Sequence, residues 1–166
     1  MRLPVILLGI ALAVSACSSD GGASRSAAAT EKAADDAARD VMAAAAQAVD
    51  GSGLAAQARW RVCAGGVGHQ YQGGGRFLVP DDDTERQLRD IRDALVEAGF
   101  DEVSEVGGQV GVERDAVTVV VQPPIAPREW RVSFRSECDT YSGDDEARVE
   151  SQTLKDLEGL APAQGG

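Results

Sequence analysis

Arginine residues with the spacing of β-strands are the side chains of this sequence best suited to bind a charged group. Arg59 and Arg61 flank Trp60, and Arg131 and Arg135 belong to a second segment that also contains Trp-Arg-Val. Alternate residues of a strand point to opposite faces, so the four guanidinium groups share one sheet face if the two segments pair. Guanidinium forms paired hydrogen bonds with carboxylate and phosphate groups. We therefore expect these arginines either to balance acidic side chains of the chain or to bind an anionic ligand.

The only histidine of the chain, His69, lies between two glycine-rich segments. As a general base with nearby acidic residues, it would make the chain a hydrolase or a transferase. That chemistry also needs a nucleophile, and no serine or cysteine motif stands beside the histidine. The sequence therefore favours an ordinary loop histidine and a protein that is not an enzyme.

Neither the glycine-rich nor the acidic segments match a known ligand-binding loop. Tyr71 occupies the position where Gly66 and Gly68 would need a third glycine for a dinucleotide fingerprint, and the chain has no Gly-Lys-Ser/Thr. The acidic residues 81–83 suit a helix start, where the helix dipole favours negative charge. Residues 139–150 lack the alternate carboxylates of a calcium loop. We therefore expect no metal and no cofactor.

The overall charge argues against two classes of partner. The chain has 166 residues, with 27 acidic and 16 basic side chains and a formal charge of −11. Binding to nucleic acid or docking on anionic lipid requires a basic face. We therefore expect no nucleic-acid partner. The length allows one domain with tails, and 43% hydrophobic residues allow a modest core.

The N-terminus resembles a bacterial lipoprotein signal. Arg2 precedes an uncharged apolar run, residues 3–14, which is shorter than the roughly 20 residues of a membrane-spanning helix. The run leads into Val-Ser-Ala-Cys, which resembles a lipobox ending at Cys17. The resemblance implies removal of residues 1–16 as a signal peptide and a diacylglycerol on the Cys17 thiol; the alternative is an ordinary secretory signal. The Ser-, Gly- and Ala-rich residues 17–30 are then a flexible tether.

The cysteine count predicts one disulfide. With Cys17 used by the lipobox, Cys63 and Cys138 remain, and an even number of cysteines outside the cytoplasm favours a bridge. Each follows a Trp-Arg-Val segment, so the bridge would tie the first and last strands if they are neighbours. A pair of free thiols and a metal site are the alternatives, although two cysteines and one histidine are too few for structural zinc.

Two helices are predicted. The Ala-rich residues 31–50, with Thr30 as the N-cap, form either a solvated stalk or a helix docked on the domain or a partner. Residues 81–99 carry a clear apolar face, with Asp82 as the cap and Gly99 in the left-handed position that follows a helix end.

Alternation of apolar and polar residues predicts strands in residues 59–63, 76–79, 110–113, 117–121 and 130–135. Glycines in residues 64–75 and prolines in residues 122–128 predict loops. This order predicts an α+β fold of two layers, in which one main helix packs on an antiparallel sheet within residues 55–160. The tether and the Ala-rich helix precede this domain, and a disordered tail at residues 161–166 follows it.

The order of features resembles the small cell-envelope lipoproteins of actinobacteria, including the mycobacterial LppA-like proteins. The features are the lipobox, a polar tether, Trp-x-x-Cys, a helix ending in Gly-Phe, alternating valines and a late cysteine. The resemblance implies an extracytoplasmic, membrane-anchored protein and supplies no catalytic residue. We therefore expect a non-enzymatic binding or interaction module, held on the membrane through the lipid on Cys17. Its expected partner is an envelope protein or wall component, and the alternative remains a hydrolase or transferase using His69.

Substitution Cys17→Ala tests the anchor. Without the thiol that would carry the lipid, the protein should leave the membrane fraction or keep its signal peptide uncut. Membrane fractionation with acyl labelling checks this. A Cys17→Ala protein that is still labelled and membrane-bound would show that the lipobox interpretation is wrong.

Overall fold

The computed structural model describes residues 25–80, 83–103, 108–126 and 128–160. The predictions for Cys17, the signal peptide, most of the tether and the C-terminal tail concern residues outside these ranges. The helices are α1 (Ala27–Ala48), α2 (Thr84–Glu97) and α3 (Glu146–Glu150). The strands are β1 (Ser52–Val62), β2 (His69–Leu78), β3 (Asp101–Val103), β4 (Val110–Arg114), β5 (Val117–Ala126), β6 (Glu129–Ser136) and β7 (Lys155–Asp156). Among the described helices, none is long and apolar enough to cross a membrane.

The strands form one antiparallel sheet in the order β3-β4-β5-β6-β2-β1-β7. Helices α1 and α2 contact each other and the sheet, and together they form the second layer. The inward side chains of the central strands are apolar and buried, whereas their outward neighbours are largely polar. The structure thus confirms the predicted α+β fold of two layers.

Helix α1 is packed on the sheet, so the solvated-stalk interpretation is wrong. Its buried residues include Ala34, Ala38, Val41 and Met42, all at 0% exposure. Alanine side chains are small, so they let a helix backbone lie close to a sheet. Because alanine is only weakly hydrophobic, the sequence does not distinguish a buried helix face made of alanine from a solvent-exposed helix face. The helix also begins earlier than predicted, because the Ser26 side chain accepts a hydrogen bond from the Ala29 amide at 3.2 Å and acts as the N-cap.

The N-terminus of α1 is hydrogen-bonded near the end of the sheet at which β5 begins and β6 ends. The Ala27 amide donates to Asp145 Oδ2 at 3.0 Å, and Arg25 Nη1 donates to the Asp115 carbonyl oxygen at 2.9 Å. Asp115 lies in the turn between β4 and β5. The chain therefore enters the domain at this end of the sheet.

Helix α2 ends as the sequence predicts. Gly99 has φ of +83°, and the Phe100 amide donates to the Leu95 carbonyl oxygen at 3.1 Å, as in a Schellman motif. The start differs by one position, since Asp83, and not Asp82, is the N-cap, with its side chain accepting from the Arg86 amide at 3.1 Å.

Each tryptophan of the two Trp-Arg-Val segments is hydrogen-bonded to a different helix. Trp60 Nε1 of β1 donates to Glu31 of α1 at 2.6 Å, and Trp130 Nε1 of β6 donates to Gln87 of α2 at 3.1 Å. A buried indole N–H needs an acceptor, so each bond satisfies a group that burial would otherwise leave unpaired. These contacts join both helices to the sheet and explain why the polar Gln87 is 1% exposed.

Residues 69–75 form the first part of strand β2, so the prediction of a loop over residues 64–75 is wrong for them. Glycine normally disfavours strands, but here the inward glycines make room for neighbours. A Cβ atom on Gly73 would overlap the Phe134 ring, and one on Gly75 would lie 2.8 Å from Met42 Sδ of α1. The glycines thus permit the close approach of α1 and β2.

The loop predicted for residues 122–128 is also shorter than expected. Strand β5 continues through Pro123 and Pro124 to Ala126, with a register shift against β6. Its pairing with β4 ends at Val121, so these prolines lie beyond that partner strand. After β6, the chain forms a 3₁₀ turn at Gly143–Asp145, the short α3 and β7.

Substitution Gly73→Ala should destabilise the fold by about 1–3 kcal/mol, because the added methyl group overpacks the contact with Phe134. Gly74→Ala is the matched control, since its Cβ would point to the opposite face and meet only the Val132 carbonyl oxygen at 3.3 Å. Denaturant unfolding of both variants measures the difference. Equal stability of the two would contradict the close packing of β2.

Candidate functional site: the open face of the sheet

The sheet face opposite α1 and α2, which we call the open face, carries a row of four polar side chains. On this face Gln72 of β2 is directly opposite Arg59 of β1 on one side and Arg135 of β6 on the other. Thr118 of β5 is opposite Arg135 and ends the row, and beyond it Glu113 of β4 is opposite Thr118. Each side chain of the row can donate a hydrogen bond. We therefore call the four residues Arg59, Gln72, Arg135 and Thr118 the donor row.

The structure places all four predicted arginines on the open face, although their strands are not neighbours. Strand β2 lies between β1 and β6, so the direct pairing considered from the sequence does not occur. Alternation is maintained across β2, and Arg59 and Arg61 therefore point to the same side as Arg131 and Arg135. Arg61, Arg131 and Arg135 are exposed, and Arg59 is half-buried.

These four arginines have no acidic partner within the part of the chain that the structure describes. Several arginines elsewhere are paired, as Arg39 is with Asp36 at 3.1 Å and Arg148 with Glu31 at 3.0 Å. Against a net charge of −11, acidic side chains are plentiful. Within the described ranges, the four arginines of the open face are therefore unpaired cations that are grouped on one surface of an acidic protein.

Two shallow concavities lie on the open face. The first, of about 540 Å³, is lined by residues that include Gly74, Arg76, Glu129, Arg131 and Asp156. The second, of about 320 Å³, lies along the donor row and is lined by Gln72, Gly73, Thr118, Val120, Ser133, Phe134 and Arg135. Gly74 and Ser133 are cross-strand neighbours between the two concavities, and their small size leaves the middle of the face low.

The charges of the two concavities differ. In the first, Arg76 is paired with Glu129 at 3.3 Å, and Asp156 accepts a hydrogen bond from Gln57 at 2.7 Å. The lining of the second contains an arginine and no acidic residue. The first concavity thus contains two arginines and two acidic side chains in its lining, whereas the second contains one arginine and no acidic side chain.

All seven aromatic residues of the chain lie away from the open face. Trp60, Tyr71, Phe77, Trp130 and Phe134 are buried in the helix-facing layer, as is Phe100 after α2. Tyr141 packs edge-on against Trp60 at 5.0 Å between ring centroids. Recognition on the open face must therefore use charge and hydrogen bonds, because stacking of rings on aromatic side chains is not available there.

Cys63 and Cys138 form a disulfide in the structure, with their Cα atoms 6.1 Å apart. Each cysteine follows the end of its strand, and the two segments meet over the start of β2. His69 begins that strand, and its backbone pairs with that of Asp139, with N–H···O distances of 2.7 and 3.0 Å. The histidine is thus placed in a paired strand and not in a free loop.

The surroundings of His69 do not assemble a catalytic set in the described ranges. The Asp139 carboxylate accepts a hydrogen bond from the Thr140 amide at 2.7 Å. Both nearby cysteines are in the disulfide. Among the residues that the structure covers, no group of three His, Cys, Asp or Glu side chains is placed to hold a metal ion.

The groups with perturbed pKa values lie on the helix side of the sheet. Burial raises the pKa of the Asp35 carboxyl of α1, and burial also raises the pKa of the Tyr71 hydroxyl, which interacts with that carboxylate. Asp35 Oδ1 is buried without a hydrogen-bond partner. Such groups often mark functional sites, but here they lie between α1 and the sheet, away from the open face.

Sequence reasoning missed Gln72, Thr118 and Arg76. Gln72 fell within the glycine-rich segment predicted as a loop, although Tyr71 and Phe77 mark the inward positions of the strand. Thr118 alternates with Val117 and Val119, and only the register shows that it lies next to Arg135.

Comparison with known proteins gave no match of significance, whether with family models, curated proteins or solved structures. Functional inference for this chain therefore depends on its own geometry.

Substitution Asp35→Asn should stabilise the protein at neutral pH. Because the folded state disfavours the ionised carboxylate, stability falls as the pH rises from the ordinary value of 3.8 through the raised pKa. Asparagine removes that loss and still offers Tyr71 an oxygen acceptor. The midpoint of thermal unfolding should rise at neutral pH, and the gap should close in acid.

The control is Asp36→Asn, which makes the same charge change on a side chain that is 43% exposed. It should not reproduce the pH-dependent gap. If the Asp35→Asn protein is less stable than the wild type at every pH, the folded protein requires the ionised carboxylate of Asp35 and the prediction is wrong.

Proposed function

We propose that this protein is a membrane-anchored, non-enzymatic binding module of the cell envelope, and that it binds an anionic envelope component through its open face. The observation that carries the proposal is the set Arg59, Arg61, Arg131 and Arg135, which share one face without acidic partners among the described residues. The lipobox-like motif at Cys17 supports the location at the outer side of the membrane.

The charge balance supports an anionic ligand. Removal of the signal peptide, which contains Arg2, would make the side-chain charge of the mature chain −11 − 1 = −12. A protein of this charge repels anions at a distance, so only a local group of cations can hold one. Guanidinium groups suit that role, because each presents a rigid fork of donors to carboxylate or phosphate.

The anchor supports a ligand from the envelope. Two acyl chains hold a protein stably on a membrane, so the domain would meet components of the membrane surface and wall at high local concentration. A site of modest affinity is sufficient under that condition. No observation favours the hydrolase or transferase alternative, because the described surroundings of His69 contain no serine or free thiol placed as a nucleophile.

A quadruple Arg→Gln variant at Arg59, Arg61, Arg131 and Arg135 tests the proposal. The variant should lose binding to isolated cell-wall and membrane fragments, since glutamine cannot provide the charge or the paired hydrogen bonds. Its unfolding midpoint should change little, because exposed side chains without ion pairs contribute little to stability. Co-sedimentation and thermal unfolding measure the two effects.

The control is a second quadruple Arg→Gln variant with the same change of net charge elsewhere on the surface, at Arg25, Arg86, Arg89 and Arg148. It should bind the fragments as the wild type does. If the first variant is folded and still binds, the open face is not the binding surface.

A further inference from the structure

We propose that the donor row is a subsite for a phosphate group, so that the ligand of the open face is a phosphate-bearing molecule. This inference depends on the proposed function and makes it more specific. The row consists of Arg59, Gln72, Arg135 and Thr118 on four adjacent strands.

The geometry of the row brings donors to one point from two sides. Strands are about 4.8 Å apart, so the backbones of Arg59 and Arg135 lie roughly 10 Å apart with Gln72 between them. Long guanidinium side chains on both sides can reach an anion held above the glutamine. Neither arginine has an ion pair within the described ranges that would hold its charge elsewhere.

The central glutamine is oriented as a donor. Gln72 Oε1 accepts a hydrogen bond from Gln70 Nε2 at 2.7 Å. This bond uses the acceptor end of the amide and leaves its N–H groups for a ligand. Because Gln70 and Gln72 are neighbours on the same strand face, the orientation is set within β2 itself.

The end of the row adds a hydroxyl and a space. Thr118 follows Arg135 across the sheet, and the concavity of about 320 Å³ is lined by both residues and by Ser133. Hydroxyl groups donate to anionic oxygens without adding charge. The concavity therefore offers room and further donors beside the guanidinium of Arg135.

This arrangement suits phosphate better than carboxylate. A carboxylate has two oxygens in one plane and is matched by a single guanidinium fork. A phosphate group has oxygens directed to several sides, so it can accept from two arginines and an amide together, while the Thr118 hydroxyl, two strands from Gln72, offers a donor to a neighbouring part of the ligand. The first concavity is less suitable, because Glu129 and Asp156 lie in its lining and would repel a phosphate.

The experiment measures binding of the mature chain, residues 17–166, to defined probes. The soluble probes are tested with the lipidated protein and the vesicles with protein produced without its lipid, because acyl chains would hold the protein on any vesicle. A soluble glycerol phosphate polymer provides phosphate groups, and polygalacturonate provides carboxylates on a polymer. Vesicles of phosphatidylcholine with and without phosphatidic acid provide phosphate on a lipid headgroup. Inorganic phosphate serves as the competitor.

The key variants are two double substitutions with equal charge change. Arg59→Gln with Arg135→Gln removes both cations of the donor row, whereas Arg61→Gln with Arg131→Gln removes two cations of the same face outside it. The first should weaken binding to the phosphate probe by about ten- to hundredfold or more, and the second by less than about tenfold. Thermal unfolding confirms that each variant is folded.

A substitution without loss of an arginine gives an independent test. Gln72→Glu places a carboxylate in the centre of the row and should abolish phosphate binding by repulsion, while Gln122→Glu, which is opposite Arg131 and away from the row, should weaken it less. The proposal is supported if the protein binds the soluble polymer or the phosphatidic acid vesicles and if the donor-row substitutions weaken that binding. The probe that binds then identifies the source of the phosphate.

The outcomes separate this inference from the proposed function. If the quadruple Arg→Gln variant loses binding but the two double variants weaken it equally, the open face binds anions and the phosphate subsite is wrong. The phosphate assignment is also wrong if the protein binds polygalacturonate tightly and inorganic phosphate does not compete with that binding. If the quadruple variant still binds the phosphate probe, both proposals fail.

Discussion

Burial of the apolar side chains on a single face of the sheet is the constraint on which the rest of this structure depends. Helices α1 and α2 cover that face, and the large inward residues of β2 and β6 fill the space beneath them. Gly73 and Gly75 allow the layers to approach closely, because any larger side chain would meet Phe134 or Met42. With every aromatic ring committed to the core, the other face is left to polar side chains.

The two layers are held together by polar contacts as well as by apolar burial. Glu31 accepts the indole hydrogen of Trp60 and is also paired with Arg148 and Lys155. Gln87 plays the corresponding role for Trp130 in the other helix. Each helix thus has an acceptor, half-buried in α1 and buried in α2, that fixes its rotation on the sheet, since a turned helix would leave an indole unsatisfied. Similar Trp-Arg-Val segments therefore place their tryptophans under the helices and their arginines on the opposite face.

Local signals in the sequence were sufficient for α2 and for the strands rich in valine. The capped start, the Gly99 end and the fold class could all be predicted, because a helix end and period-two alternation depend on near neighbours. The docking of α1 could not be predicted with certainty, since its buried face consists mostly of alanine. Strand β2 was missed because glycine is a loop signal unless the neighbours that fill its space are known. The donor row depends on the register of four strands, which single-sequence reasoning does not provide.

The entry point of the chain sets how the domain would stand on a membrane. Arg25 and Ala27 are bound at the end of the sheet that contains the β4–β5 turn, and the disulfide closes the same end over the start of β2. The donor row crosses the strands nearer to that end, whereas Leu78 and the Arg76–Glu129 pair lie toward the other. For a lipid anchor at Cys17, this polarity gives the domain a proximal and a distal pole. Arg59, Arg61 and Arg135 then belong to the pole closer to the anchor, whereas Arg131 and the Arg76–Glu129 pair lie at the distal pole.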